Sequence, residues 1–405
     1  MEQPQLNTLV CLPTAGDGKT SFSPVKLKIY GLTLLERTLR ALERAGVNSA
    51  TVLAGTQHEA VEDLLKKTAP WGMEIIVSQK SDGKEALQAL QNGSKEGWVF
   101  LREPLVLDPA LLRRLVEVGN GDKATVASTP GGEVVFAGTG VSLETAPSIT
   151  IDPCNSLCHP VRNEEDLRRV KKALRRSLVK PTDGWVSRNL NRPVSISISW
   201  VLAHTSITPN QFTVFTGLLG VACGLFAAQG GYWGFLASAT LFHLTSVLDG
   251  VDGELARLKF KASPFGQWLD TLVDNSTYIF ALSGYLVGLL RDGMSNYEKI
   301  AGISALALTA LALCSMYFYL RRFGKGGSLL NIEYSFQQGK TGFDRFMRAM
   351  SAFGRRDLFA LIFFGLGVIG QLRLALIYIG VLTAALFGFS IHAHLTASRK
   401  RRQAA

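Results

Sequence analysis

Two hydrophobic rhythms divide the chain. Across residues 1–150, short apolar runs (NTLVCLP, SATVLAG, MEIIVSQ, WVFL) alternate with stretches whose apolar positions return every three or four residues (LLERTLRALERAGV, HEAVEDLLKKT). Short strands alternating with amphipathic helices predict an α/β fold built on a parallel sheet. After residue 209 the apolar runs lengthen to the ~20 residues that a membrane crossing needs. Segments 210–229, 232–256, 265–290, 297–320, 357–371 and 373–396 predict an all-α domain of six membrane helices, the fifth of them short.

Between the halves, Glu164 to Lys180 reads as a charged helix with an apolar stripe at Leu167, Val170, Leu174 and Leu178. The following KPTDGWVSRNLNRPVSISISWVLAHTSITPN is too polar and broken for a span. It predicts an amphipathic helix lying in the interface, with Arg188 and Arg192 near headgroups and Trp185 and Trp200 at the boundary. The expected division is therefore 1–160 as a soluble α/β domain, 161–208 as a basic linker with its interfacial helix, and 209–400 as the membrane domain.

Charge sharpens this division. The formal net charge is +11, yet residues 1–160 are slightly acidic, and the basic excess sits in the linker and the second half. A nucleic-acid coat would not be distributed this way, so no nucleic-acid partner is expected. Arg257, Lys259 and Lys261, the basic stretch from Arg321 to Arg356, and Arg399 to Arg402 fall on loops that six spans put on the side of the N-terminal domain. The opposite loops hold only Arg291, Lys299 and Arg373. The positive-inside rule then predicts a multi-pass protein of the inner (cytoplasmic) membrane with both termini cytoplasmic. The N-terminus lacks the basic-then-apolar pattern of a cleaved signal. Five scattered cysteines (Cys11, Cys154, Cys158, Cys223, Cys314) argue against a disulfide framework. Cys154, Cys158 and His159 are read as a loop with reduced thiols, since structural zinc takes four ligands.

The chemistry lies in DGVDGELARLKFKASPFGQWLDTLVD, from Asp249 to Asp274. Ionisable groups at membrane helices are costly unless paired or wet, which makes them functional candidates. Asp249, Asp252, Gly253 and Ala256 share one face of the second predicted span; Gly266, Asp270 and Asp274 share one face of the third. Two antiparallel helices joined by a short basic loop can aim all four acids at one point. Their mutual repulsion calls for cations, and two hard divalent ions held by oxygens resolve it. Gly253, Ala256 and Gly266 leave room for a substrate or a facing backbone, and Arg257 can take a phosphate bidentately. A two-metal site beside an arginine reads as phosphoryl-group chemistry.

The pattern Asp-Gly-x-Asp-Gly-x-x-Ala-Arg, eight residues, Gly-x-x-x-Asp-x-x-x-Asp resembles the signature of the CDP-alcohol phosphotransferase family, with every fixed position present. The resemblance covers roughly residues 180–400, including TPNQFT at Thr208–Thr213. It implies that Asp249, Asp252 and Asp270 bind Mg2+ or Mn2+, two ions in all, and that Asp274 is the general base for the acceptor hydroxyl or a further metal ligand. It also implies a homodimer in the membrane lipid that moves a phospho-alcohol unit from a CDP-alcohol donor to a hydroxyl acceptor, releasing CMP. Asn210 is read either as a helix cap or as a cytidine contact. Arg321, Arg322, Lys325, Arg355 and Arg356 are read either as a receptor for a phosphorylated acceptor or as positive-inside anchors. His243 and Ser246 are read as interhelical hydrogen-bonding groups.

The run from Cys11 to Val47 resembles the opening of a sugar-phosphate nucleotidyltransferase, a Rossmann-like domain. Gly16 and Gly18 match its phosphate loop. Lys19-Thr20 replaces the expected basic end, Pro24 stands at the catalytic lysine position, and Lys26 is two residues out of register. In WVFLREPLVLDP, Pro104 occupies the place of the magnesium-binding acid; Glu103 is its neighbour, and Asp108 reads as a helix N-cap. The expectation is a degenerate domain for docking, dimerisation or sensing. The domain order resembles the fused inositol-phosphate cytidylyltransferase and di-myo-inositol-phosphate-phosphate synthase, which leaves two donor classes open: a soluble CDP-alcohol or CDP-diacylglycerol. A transporter using the acids as ion sites is the alternative from another class, and it requires acids near mid-membrane on broken helices.

Overall fold

The computed structural model describes residues 7–12, 22–80, 98–118, 125–129, 132–137, 149–150, 157–323, 342, 345 and 354–404. The chain separates into two compact units, Met1–Leu178 and Val179–Ala405. The phosphate-loop residues Gly16, Gly18, Lys19 and Thr20, together with Cys154 and Lys325, lie outside the described residues.

The first unit is α/β. Its strands are β1 (Asn7–Cys11), β2 (Lys28–Ile29), β3 (Leu32–Thr33), β4 (Ser49–Leu53), β5 (Glu74–Ser78), β6 (Trp98–Leu101), β7 (Leu105–Leu107), β8 (Thr125–Thr129), β9 (Gly132–Ala137), β10 (Ile149–Thr150) and β11 (Cys158–Pro160). Seven of them form one sheet in the order β10-β8-β9-β6-β1-β4-β5. β6, β1, β4 and β5 run parallel, and β9 lies antiparallel between β6 and β8. Three of the apolar runs read from the sequence are the buried central strands β1, β4 and β6, with Leu9, Val10 and Val52 fully enclosed, while MEIIVSQ forms the edge strand β5 with Ile76 exposed. Helix α1 (Leu34–Ala45) starts at the Thr33 cap and ends at left-handed Gly46; α2 spans His58–Thr68. Helix α3 (Pro109–Val118) is capped by Asp108, whose Oδ1 accepts the Ala110 amide at 2.9 Å, as the sequence predicts. Helix α4 (Glu164–Ser177) buries Val170 and Leu174.

The second unit is helical. After a π turn at Ser187–Asn191 come α5 (Arg192–Ala203), α6 (Pro209–Gln229), α7 (Gly231–Leu258), α8 (Pro264–Arg291), α9 (Asn296–Phe323), α10 (Arg356–Val368) and α11 (Leu372–Ala404). The six helices expected after residue 209 form, but the expected count of six spans needs correction. Among the described residues, four helices are long and apolar enough to cross a membrane: α6, α7, and the greater parts of α9 and α11. Helix α8 is diluted by Asp270, Asp274, Asn275, Ser276 and Thr277, and α10 has only 13 residues, about 20 Å at 1.5 Å per residue.

Helices α6 and α8 make the tightest contact. A Cβ added at Gly284 would stand 2.0 Å from the Gly224 carbonyl oxygen, so only glycine permits this approach. Phe235, Phe242, Tyr285 and Phe363 pack beside this seam as an aromatic core. Outward positions such as Leu218, Leu225, Ile300 and Ile377 stay exposed, as a lipid-facing surface requires. Exposed Trp185, Trp200 and Trp268 mark one end of the unit, and Tyr232, Trp233 and Tyr297 the other, in the manner of aromatic belts.

Candidate active site

The acids ride on two unbroken helices. Asp249 lies about 27 Å along α7 and Asp274 about 15 Å into α8, at 1.5 Å per residue. The turn between these helices is short: Lys259 caps α7, Phe260 takes a left-handed φ of 54°, and the Ser263 side chain accepts the Gly266 amide at 3.0 Å to start α8. The ammonium of Lys259 donates to the carbonyls of Thr205 and Ile207, both at 2.7 Å, and so fixes the approach to α6. Helix α6 begins with a full capping box: the Thr208 hydroxyl accepts the Gln211 amide, and Gln211 Oε1 accepts the Thr208 amide at 2.9 Å. That cap brings Asn210 to the site, where its Oδ1 would stand 3.0 Å from a Cβ placed on Gly266.

Asp249, Asp270 and Asp274 each offer a carboxylate oxygen within 4.8 Å of the other two, and each is half-buried. Asp252 is directed differently. Its Oδ2 accepts the Thr213 hydroxyl at 2.6 Å and its Oδ1 the Gly253 amide at 2.5 Å. Asp252 thereby stands beside Asp270, with one oxygen on Thr213. Thr213 was not singled out from the sequence, although it ends the TPNQFT run.

Arg356, at the first residue of α10, reaches into the triad: Nη1 donates to Asp249 Oδ1 at 2.6 Å and to Asp274 Oδ1. Tyr278, one turn beyond Asp274, lies beneath it, with its ring centroid 5.6 Å from Cζ. The other predicted basic residues lie elsewhere. Arg355 Nη2 donates to the Thr182 carbonyl at 2.6 Å, and Arg321 and Arg322 are exposed on the last turn of α9. Arg257 has its Nη1 3.6 Å from a Cβ built on Gly253, so its guanidinium lies over the open face of α7. Ala256 is half-buried on that same helix.

Sequence reasoning also missed a buried network behind the site. Glu254, fully enclosed, accepts Arg192 Nη1 at 2.6 Å, Ser195 Oγ at 2.8 Å and Ser199 Oγ at 2.7 Å. Arg192 donates in addition to both oxygens of Asp183, at 2.8 and 3.0 Å. The expectation of Arg192 among headgroups is therefore corrected: an acid on α7 draws it inward, whereas Arg188 and Trp185 are exposed. The sequence signal was an acid at a variable position of an apolar helix. Gly250 makes the room, since its Cβ would meet Arg192 Nη1 at 2.5 Å. Of the two polar residues on α7 above the acids, Ser246 approaches the Arg356 carbonyl at 3.5 Å, while His243 stacks on Phe364.

In the first unit, Glu103 is clasped by Arg162, whose Nε lies 3.1 Å from both carboxylate oxygens. That hydrogen bond raises the Arg162 guanidinium above its ordinary value. Cys158 is buried in β11, and burial pushes its thiol up to about 12. Lys26 is exposed and Pro24 buried.

The donor set of the membrane unit is all hard oxygen, which suits a divalent ion, and a guanidinium already bridges two of the acids as a cation would. Residues 206–386 match the CDP-alcohol phosphatidyltransferase family. Its curated relatives carry the description bifunctional IPC transferase and DIPP synthase. The protein from Aquifex aeolicus is 27% identical over 297 residues, spanning 61% of this chain and 68% of its own. That from Rubrobacter xylanophilus is 26% identical over 344 residues, 70% and 77% of the two chains. That from Thermococcus kodakarensis is 40% identical over 156 residues, 38% of this chain and 34% of its own.

Proposed function

We propose that the protein moves a phospho-alcohol unit from a CDP-alcohol to a hydroxyl acceptor, with release of CMP, at the cytoplasmic face of the inner membrane. The observation that carries this reading is the triad of Asp249, Asp270 and Asp274 on unbroken helices near one end of the helical unit. Asp249, Asp252, Asp270 and Asp274 hold two divalent ions, Mg2+ or Mn2+, which when bound stabilise the pyrophosphate oxygens and the departing CMP. Asp274 takes the proton of the acceptor hydroxyl as its oxygen attacks the phosphorus. Gly253, Ala256, Arg257, Gly266 and Asn210 line the approach of the donor, and Arg257 orients a phosphate. The acids lie near a basic loop on continuous helices, which speaks against an ion-coupled transporter. The basic loops at the same end support the cytoplasmic orientation, and the family resemblance supports a homodimer.

The relatives' description favours soluble inositol-phosphate substrates. A second reading is favoured by one feature. An apolar cavity of about 230 Å³ lies directly below the acids, lined by Phe242, Tyr278, Leu282, Phe363, Ile379 and Leu382, with Asn275 on its wall. Such a space suits the chain of CDP-diacylglycerol. The test is CMP release by the purified full-length protein with Mg2+, offered CDP-inositol or CDP-diacylglycerol, each with inositol phosphate. Turnover with the first donor alone selects the inositol phosphodiester; turnover with the second selects the phospholipid. Asp274→Asn lowers the rate by about 10²–10⁴-fold if it is the base. No metal-dependent CMP release with any CDP-linked donor overturns the proposal.

A further inference from the structure

The engagement of Arg356 is unusual for a structural arginine. Arginine–carboxylate pairs frequently present the fork, with two parallel N–H bonds to one carboxylate. Here a single nitrogen, Nη1, serves both Asp249 and Asp274, and Nε is buried without a partner. The side chain is thus committed through one end, and withdrawing it forfeits few bonds. Its backbone, in contrast, is anchored: Arg355 holds the Thr182 carbonyl, and Asp357 Oδ2 accepts the Ser187 amide at 2.8 Å. The ring of Tyr278 offers the cation a second resting place, with no bond to the acids.

Asp249 and Asp274 are also two of the three carboxylates close enough to share an ion. A divalent ion held by both acids would compete with Nη1, which sits on one oxygen of each, because two cations at one point repel each other. We propose that Arg356 and the divalent ion hold Asp249 and Asp274 in exchange, so that Arg356 is a built-in competitor of the metal. Binding of the ion frees the guanidinium, and loss of the ion returns it to the acids. The arginine keeps the carboxylates from repelling one another, and it sets the metal concentration at which the site fills. This inference rests on the proposed metal site at the triad.

Two measurements on the full-length protein in detergent test it. The first labels arginines with phenylglyoxal in the presence of EDTA or of saturating Mn2+, and locates the label by mass spectrometry. Labelling of Arg356 is expected to rise with Mn2+, while Arg192, locked on Glu254 and Asp183, stays at its basal level. Equal labelling of Arg356 under both conditions overturns the exchange. The second follows Mn2+ binding by electron paramagnetic resonance. Arg356→Gln is expected to bind Mn2+ about tenfold more tightly, within the range by which groups around a metal tune it. Unchanged or weaker binding in Arg356→Gln overturns the exchange while leaving the metal site intact. Failure of the wild-type protein to bind Mn2+ at all overturns the metal-site reading, and the exchange with it.

Discussion

Arg192 and Glu254 meet at 2.6 Å in a place where the carboxylate has no solvent exposure at all. Through this pair the short helix α5 is bonded to the helix that carries the first two acids, and Ser195 donates to the same oxygen while Ser199 donates to the other. A buried charge so completely satisfied is costly to break from one side, because the surviving partner stays buried and uncompensated.

Glu254→Ala is therefore expected to destabilise the helical unit by about 3–5 kcal/mol. Arg192→Met together with Glu254→Met should recover part of that loss, since the buried pair is removed together while Asp183 keeps the Lys180 amide. Reversible denaturant unfolding of the four proteins in detergent, read as a double-mutant cycle, gives the coupling.

Asp183 carries the pH dependence of the same network. Burial pushes its carboxyl up, but hydrogen bonds from Arg192 and from the Lys180 amide pull it further down, to a net position below its ordinary 3.8. A group depressed on folding contributes stability above its unfolded value and loses it as pH falls through the folded one. Stability should drop below about pH 4 in the wild-type protein, and Asp183→Asn should flatten that limb. Unfolding midpoints from pH 5 downward decide it.

Thr213→Val keeps the shape of the side chain and removes the hydrogen bond to Asp252. The Mg2+ concentration for half-maximal CMP release is expected to rise by about 10–100-fold, as when a group orienting a metal ligand is lost. Thr213→Ser should restore it. Equal Mg2+ dependence in all three proteins would mean that Asp252 needs no such orientation.

Gly284→Ala tests the closest approach in the bundle. The added methyl group meets the Gly224 carbonyl at 2.0 Å, so α6 and α8 must separate. A loss of about 1–3 kcal/mol is expected from overpacking. Because Asn210 and Thr213 on α6 face the acids on α8 and α7, activity should fall with stability; a Gly284→Ala protein of full activity would show that the site tolerates a shifted α6.

The first unit should transfer no cytidylyl group. Pro104 stands where a metal-binding acid is expected, and the neighbouring Glu103 is spent on Arg162. The full-length protein, given CTP, Mg2+ and inositol phosphate, is expected to release no pyrophosphate. Release above the level of a Glu103→Gln protein would reverse this view.

Much of the molecule was legible in the sequence, because the information was local. Short apolar runs and period-3.6 patterns gave the parallel part of the sheet, the helices α1 to α4 and the long apolar helices after residue 209, since each such pattern is local to one element. The spacing of Asp249 to Asp252 and of Asp270 to Asp274 put each pair on one helix face by geometry alone. What the sequence could not decide were meetings between residues far apart in the chain. Arg192 reads as a headgroup contact until Glu254 is placed beside it, and Arg356 reads as one basic loop residue among several until α10 delivers it to Asp249 and Asp274. Thr213 reads as one polar residue of the helix start until α6 brings its hydroxyl to Asp252. Periodicity determines which way a side chain leaves its own helix; only the packing of separate helices, down to a glycine that lets two backbones touch, determines which charge it finds there.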